Sequence, residues 1–164
     1  MKFEVDSNNQ SNIEYKIGKV LYEKDLSVST AESCTGGLIA AKLISYPGIS
    51  KVFFESIVTY SNESKQKRLN VKKETLDKYG AVSKETAFEM AKGIVEFSRS
   101  DIGIISTGIA GPSGGTIDKP VGLVYIAVNI KGDIIVEKHN FKGTRDEIRE
   151  AATDKALELA LSRL

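Results

Sequence analysis

The chain holds one histidine and one cysteine among its 164 residues, and it has no surplus of either charge. Each shortage excludes something. A lone Cys34 can neither close an intramolecular disulfide nor build a multi-cysteine zinc site. The lone His139 sits in an alternating run, residues 134–141, flanked by polar neighbours, and reads as an exposed strand position. If a serine in this chain is a nucleophile, its base is therefore not expected to be an imidazole. With Lys+Arg at 23 against Asp+Glu at 22, the net charge of +1 argues against a general nucleic-acid binder. No apolar run approaches the ~18–20 residues that cross a bilayer. The start, Met1-Lys2-Phe3-Glu4-Val5-Asp6, has no signal-peptide character. The expectation is a soluble, cytoplasmic protein with no membrane partner. A hydrophobic content of 41% is enough for a real core.

What is present reads as alternating helices and strands. Residues 6–12 are polar and rich in Asn and Ser, so 1–12 is expected to be a loose arm before one domain over 13–164. Ile13, Ile17, Val20 and Leu21 recur at helical spacing through residue 24. Residues 26–30 read as a buried strand. Residues 37–45 read as a helix with Leu38, Ala41 and either Leu43 or Ile44 inward, stopped by Pro47-Gly48. The aromatic and β-branched residues 52–60 suit a strand. Helices are expected at 62–69, at 72–79 before Gly80, and at 83–99 with Ser83 as N-cap. A strand at 102–106 precedes the glycine-rich loop 108–115. Residues 121–130 and 134–141 form a hairpin around Lys131-Gly132-Asp133. The last helix starts at Arg145 behind a Thr144/Glu147 capping box, with Ile148, Ala152, Ala156 and Leu159 toward the core. The expected fold class is α/β: three-layer α/β/α around a mixed, largely parallel sheet.

Ligands of such folds gather at the carboxyl ends of strands. Segments 33–37, 60–65 and 107–115 leave strands in that way and are expected to line one cleft. In the first, Ser33 lies at a strand-to-helix junction whose free N–H groups favour an anion or a developing oxyanion. Ser33 is either a nucleophile or, like Thr35, a helix cap. Cys34 is either a thiolate nucleophile or a small core residue. Glu32 either orients a neighbour or is a solvated charge. With imidazole set aside, Tyr60 and Lys65 are the candidate bases. A lysine base must be neutral, so its pKa has to fall from ~10.4 toward ~7. Burial against Tyr60 and repulsion from Arg68 both push that way, and the competing account is a solvated helix lysine. The glycine-rich loop matches neither the phosphate-loop nor the dinucleotide pattern. It either cradles a phosphate through backbone donors or is a tight structural loop. Arg145 stands at the positive end of its helix, which makes sense beside an anion; otherwise it is a surface arginine.

Six motifs occur in one order: Thr30-Ala31-Glu32-Ser33-Cys34-Thr35-Gly36-Gly37; Val58-Thr59-Tyr60-Ser61-Asn62-Glu63 with Lys65; Gly80-Ala81-Val82-Ser83; Gly108-Ile109-Ala110-Gly111-Pro112 with Gly114-Gly115; Lys119-Pro120-Val121-Gly122; and Gly143-Thr144-Arg145. Together they resemble the C-terminal domain family of competence-damage-inducible protein CinA, over nearly the whole chain. That family includes stand-alone nicotinamide-nucleotide amidohydrolases of pyridine nucleotide salvage. The resemblance implies hydrolysis of the carboxamide of nicotinamide mononucleotide to nicotinate mononucleotide and ammonia. It implies a Ser-Tyr-Lys site with no metal and no organic cofactor, in which Ser33 is the nucleophile and Tyr60 with Lys65 activates it. Substrate contacts are implied for Thr35, Gly36, Gly37, Thr107, Gly108, Gly111, Gly114, Gly115 and Arg145, with Arg145 toward the phosphate. Backbone N–H groups around 35–37 would face the oxyanion. A homodimer is implied as well. Two-domain members carry a further pyrophosphatase-like domain that these residues do not contain, so only the amidase half is implied. Two rivals stand beside this reading: a nucleotide-binding module without turnover, and a serine–lysine amidase acting on a different, non-nucleotide amide.

Overall fold

The computed structural model describes residues 11–164, so the arm expected over 1–12 lies almost wholly outside the described residues. The elements are α1 (Ile13–Lys24), β1 (Val28–Glu32), α2 (Leu38–Leu43), β2 (Phe53–Val58), α3 (Asn62–Leu69), α4 (Lys73–Tyr79), α5 (Lys84–Ser98), β3 (Ile102–Gly108), β4 (Leu123–Ile130), β5 (Asp133–Asn140) and α6 (Arg145–Ser162). The strands form one sheet in the order β2-β1-β3-β4-β5. β1 runs parallel to both β2 and β3, while β3–β4 and β4–β5 are antiparallel. The sheet is thus mixed, with the parallel part confined to the three strands that precede the site segments.

Strand alternation divides the core into two layers. On one face Val28, Ile102, Ile104, Val124, Ile126 and Val128 pack against Ile17 and Leu21 of α1, Ile39 and Leu43 of α2, and Ile148, Ala152 and Ala156 of α6. On the other, Ala31, Ile105 and Ala127 meet Leu69 of α3, Leu76 of α4 and Ala87, Met90, Ala91 and Ile94 of α5. This is the three-layer α/β/α arrangement.

Three local differences from the sequence pattern matter for the site. β1 begins two residues later than expected, because Leu26 N–H still closes onto Leu21 O of α1. The strand consequently runs through Glu32, which becomes fully buried. The inward residues of α2 are Ile39 and Leu43; Ala41 is exposed and Ile44 is outside the helix and 60% exposed. The shift follows from a start at Leu38, one residue beyond the expected Gly37, which caps with a left-handed φ of 103°. β3 extends to Gly108, which carries Thr107 into the wall of the cleft described next.

Candidate active site

The carboxyl ends of the three parallel strands share one edge of the sheet. β1 delivers Ser33, whose N–H donates to Ser106 O at 3.0 Å and so extends the ladder with β3 by one residue. β2 delivers Thr59, whose N–H donates to Glu32 O at 2.9 Å. Ser61 then caps α3 by accepting from Ser64 N–H at 3.0 Å. Helical side chains lean back toward the N-terminus, so Lys65, a turn into α3, reaches the residues just ahead of the helix. Its Nζ donates to Thr59 O at 2.7 Å and to Tyr60 O at 3.3 Å, and lies 3.2 Å from Ser33 Oγ. Lys65 is 0% exposed and Ser33 is 8% exposed.

Burial in this position lowers the Lys65 pKa to about 8; the neighbouring Cys34 opposes the shift. The positive end of α3 acts in the same direction as burial. Arg68, which the sequence offered as a repelling charge, is exposed and contributes nothing to the shift. A lysine amine in its neutral form has two N–H donors and one lone pair. With the donors on the two carbonyls, the lone pair is left for the hydroxyl hydrogen of Ser33. The arrangement can therefore take a proton from a serine without imidazole. Burial pushes the Cys34 thiol up to about 11, so the residue beside Ser33 is a neutral thiol.

Ser33, Tyr60, Lys65, Thr107, Gly108 and Arg145 line a cleft of about 180 Å³, together with Cys34, Ala81, Val82 and Ala110. The ring of Tyr60 is 64% exposed at the mouth. Its hydroxyl is 3.5 Å from Arg145 Nη2, and it is its main-chain carbonyl that touches Lys65. Arg145 also donates through Nη1 to Gly111 O at 2.6 Å, which leaves further guanidinium N–H groups for a ligand. Thr107 Oγ1 donates to Ala81 O at 2.8 Å, fixing the wall between β3 and the start of α5. Gly114 and Gly115 are not part of the lining; Gly115 packs against Val121. His139 bonds Glu137 at 2.8 Å and stacks on Phe141, outside the cleft.

The turn after Ser33 differs from its expected role. Glu32 occupies the N-terminus of α2 with its own carboxylate. Its Oε2 accepts from Gly37 N–H at 2.9 Å, Ile39 N–H at 3.1 Å and Thr35 Oγ1 at 2.6 Å, and its Oε1 accepts from Ala40 N–H at 2.9 Å. Thr35 Oγ1 is also 2.6 Å from Ser106 Oγ. Gly36 N–H donates to Ser33 O at 3.1 Å. The N–H groups of Gly36 and Gly37, expected to meet an oxyanion, are thus taken by the protein itself. Thr35 is buried with its hydroxyl turned to Glu32, away from the cleft lining. The donors of this turn with no acceptor among the described residues are the N–H groups of Cys34 and Thr35. Among the described residues there is no group of three or more His, Cys, Asp or Glu side chains placed to hold a metal ion.

Fold and site together define an α/β/α domain with a buried amine–hydroxyl pair at the carboxyl ends of its parallel strands. The CinA C-terminal domain model matches residues 10–164, and the chain belongs to that family. It is 55% identical over 152 residues to a putative competence-damage inducible protein of Clostridium botulinum, covering 93% of this chain and 37% of that protein. It is 60% identical over 146 residues to a protein of the same description from Clostridium kluyveri, covering 89% of this chain and 36% of the relative. The chain thus spans little more than a third of the curated relatives it matches. Among solved structures it is similar to the competence/damage inducible protein CihA of Agrobacterium tumefaciens, with TM-score 0.90 and 40% identity over 99% of this chain and 98% of that one. A CinA superfamily protein of Escherichia coli superposes with TM-score 0.90 at 33% identity, covering 100% of this chain and 95% of the other. Among the described residues no helix is long and apolar enough to cross a membrane.

Sequence reading gave no part in the site to Thr59, to the main chain of Tyr60 (whose side chain it put forward as a base), to residues 80–83 or to Arg149. Thr59 and Tyr60 act through main-chain carbonyls, which no side-chain pattern reveals. The Gly80-Ala81-Val82-Ser83 motif supplies a cleft wall. Arg149 holds the turn after Ser33 through the Cys34 and Thr35 carbonyls, and its one available signal was its place a helical turn beyond Arg145.

Proposed function

We propose that this domain is a nicotinamide-nucleotide amidohydrolase that converts the carboxamide of nicotinamide mononucleotide to a carboxylate and releases ammonia. The observation that carries the reading is the 3.2 Å approach of Lys65 Nζ to Ser33 Oγ, with the amine fully buried and its other contacts made to carbonyl oxygens. A module that only bound nucleotides would have no use for an amine held so far from water.

Neutral Lys65 accepts the Ser33 proton as Oγ bonds the carboxamide carbon. The N–H groups of Cys34 and Thr35 receive the oxyanion. The C–N bond then breaks, and Lys65 returns the proton to the departing amine, which leaves as ammonia. Water, deprotonated by the same amine, attacks the Ser33 ester and frees the acid. Tyr60 and Arg145 hold the nucleotide part at the mouth, Arg145 on the phosphate. A cytoplasmic setting and a homodimer belong to the same proposal.

The test is ammonia release across pyridine nucleotides. Wild type is expected to turn over nicotinamide mononucleotide, and Ser33→Ala to be folded and inactive. Thermal stabilisation by the nucleotide without ammonia would favour a binding module, and ammonia from a phosphate-free amide alone would favour an amidase of other specificity.

A further inference from the structure

Arg149 grips the turn after Ser33 from α6, through two of its main-chain carbonyls. It sits on α6 one turn past Arg145, between the buried Ile148 and Ala152, on a helix started by a complete capping box. Its Nε donates to Cys34 O at 3.1 Å and its Nη2 to Thr35 O at 3.2 Å, while Nη1 meets Asp146 at 3.4 Å. The fork of a guanidinium spans two successive carbonyls as a lysine ammonium cannot. Gly36 supplies the left-handed φ of 60° that the turn beneath Arg149 requires.

Peptide planarity gives this grip a consequence. In a trans peptide the C=O and N–H point in opposite directions. The carbonyl of Cys34 shares its plane with the N–H of Thr35. Holding that carbonyl toward α6 aims the Thr35 N–H away from α6, and that N–H has no acceptor among the described residues. On the opposite side Glu32 ties down the Thr35 hydroxyl and the start of α2. The Glu32 carboxylate thus holds the Thr35 hydroxyl and the Gly37 N–H, while Arg149 holds the Cys34 and Thr35 carbonyls.

We propose that Arg149 is a positioning residue for the reaction at Ser33: by fixing the Cys34–Thr35 peptide it aligns the Thr35 N–H as an oxyanion donor. The inference rests on Ser33 being the nucleophile. It separates Arg149 from its neighbour, since Arg145 lines the cleft whereas Arg149 lies outside the lining and holds the turn.

The experiment compares wild type, Arg149→Lys, Arg149→Ala and Ser33→Ala, each checked for cooperative unfolding. Two readouts are used: steady-state ammonia release from nicotinamide mononucleotide, and covalent labelling of Ser33 by a fluorophosphonate. Both Arg149 variants are expected to lose tenfold or more in kcat, with KM and the pH midpoint of activity unchanged. Labelling should slow in parallel. Added guanidinium at sub-denaturing concentration should restore part of the rate in Arg149→Ala but not in Arg149→Lys. Wild-type rates in folded variants, or a change confined to KM, would overturn the inference while leaving Ser33 in place. Wild type that neither labels nor releases ammonia would overturn the reading of Ser33, and this inference with it.

Discussion

The amine of Lys65 lies closer to the carbonyl of Thr59, at 2.7 Å, than to the hydroxyl of Ser33, at 3.2 Å. A carbonyl only accepts, so this contact always consumes an N–H and never the lone pair. Thr59 is itself pinned, since its N–H belongs to the ladder with Glu32. The orientation of the base is thus set by a strand end, and its protonation state by burial.

On the proposed mechanism, Lys65 sets the expected pH dependence of turnover. Its pKa of about 8 means that the reactive neutral form grows as pH rises toward that value and saturates above it. The expected profile of kcat/KM for ammonia release climbs tenfold per pH unit on its acid limb and levels off past about pH 8. Lys65→Met is expected to be inactive at every pH.

The same group makes stability depend on pH. Its pKa is about 8 in the fold against 10.5 ordinarily, so between those values the unfolded chain holds a proton that the folded chain has lost. Stability therefore rises with pH across that window. Below it both states are protonated and the full penalty for the buried charge applies; above it both are neutral and none does. Urea unfolding of wild type and Lys65→Met, compared from pH 7.5 to 11, should show wild type gaining on the variant by roughly 3 kcal/mol.

Glu32→Gln should damage the fold more than the loss of one charge suggests. All five of the hydrogen bonds at this carboxylate are donated to it, by Thr30, Thr35, Gly37, Ile39 and Ala40. A glutamine amide presents its own donors to half of them, leaving buried N–H groups unpaired. A destabilisation on the order of 3 kcal/mol is expected from urea titration.

Arg145→Ala should discriminate between substrates by their phosphate. The side chain is exposed at the cleft mouth and retains unpaired donors. Loss of a charge-assisted contact should raise KM for nicotinamide mononucleotide tenfold or more, with kcat little changed. The phosphate-free riboside should show no such difference between wild type and variant.

The sequence carried the order of elements because apolar spacing differs between helix and strand. Ile148, Ala152, Ala156 and Leu159 of α6 are all buried as their period requires. It carried the convergence of Ser33 and Lys65 because both follow strands whose ends meet at one edge. It did not carry the fate of Glu32, since a carboxylate four residues before a glycine pair reads the same whether solvated or inserted into a helix end. Nor did it carry the carbonyls of Thr59 and Tyr60, which every residue type possesses. On α2 the expectation held for Leu43 but took Leu38 and Ala41 where Ile39 faces the core, because six residues give too few turns to fix a phase.

α3, which carries Lys65, rests on α5 by a main-chain contact: a Cβ built on Gly93 would stand 2.0 Å from Leu69 O. Gly93 belongs to the layer opposite α2 and does not line the cleft. One methyl group added there would lever α3 off its seat and carry the amine with it. The distance between the Lys65 amine and the Ser33 hydroxyl can thus be altered from behind, by a residue outside the cleft lining.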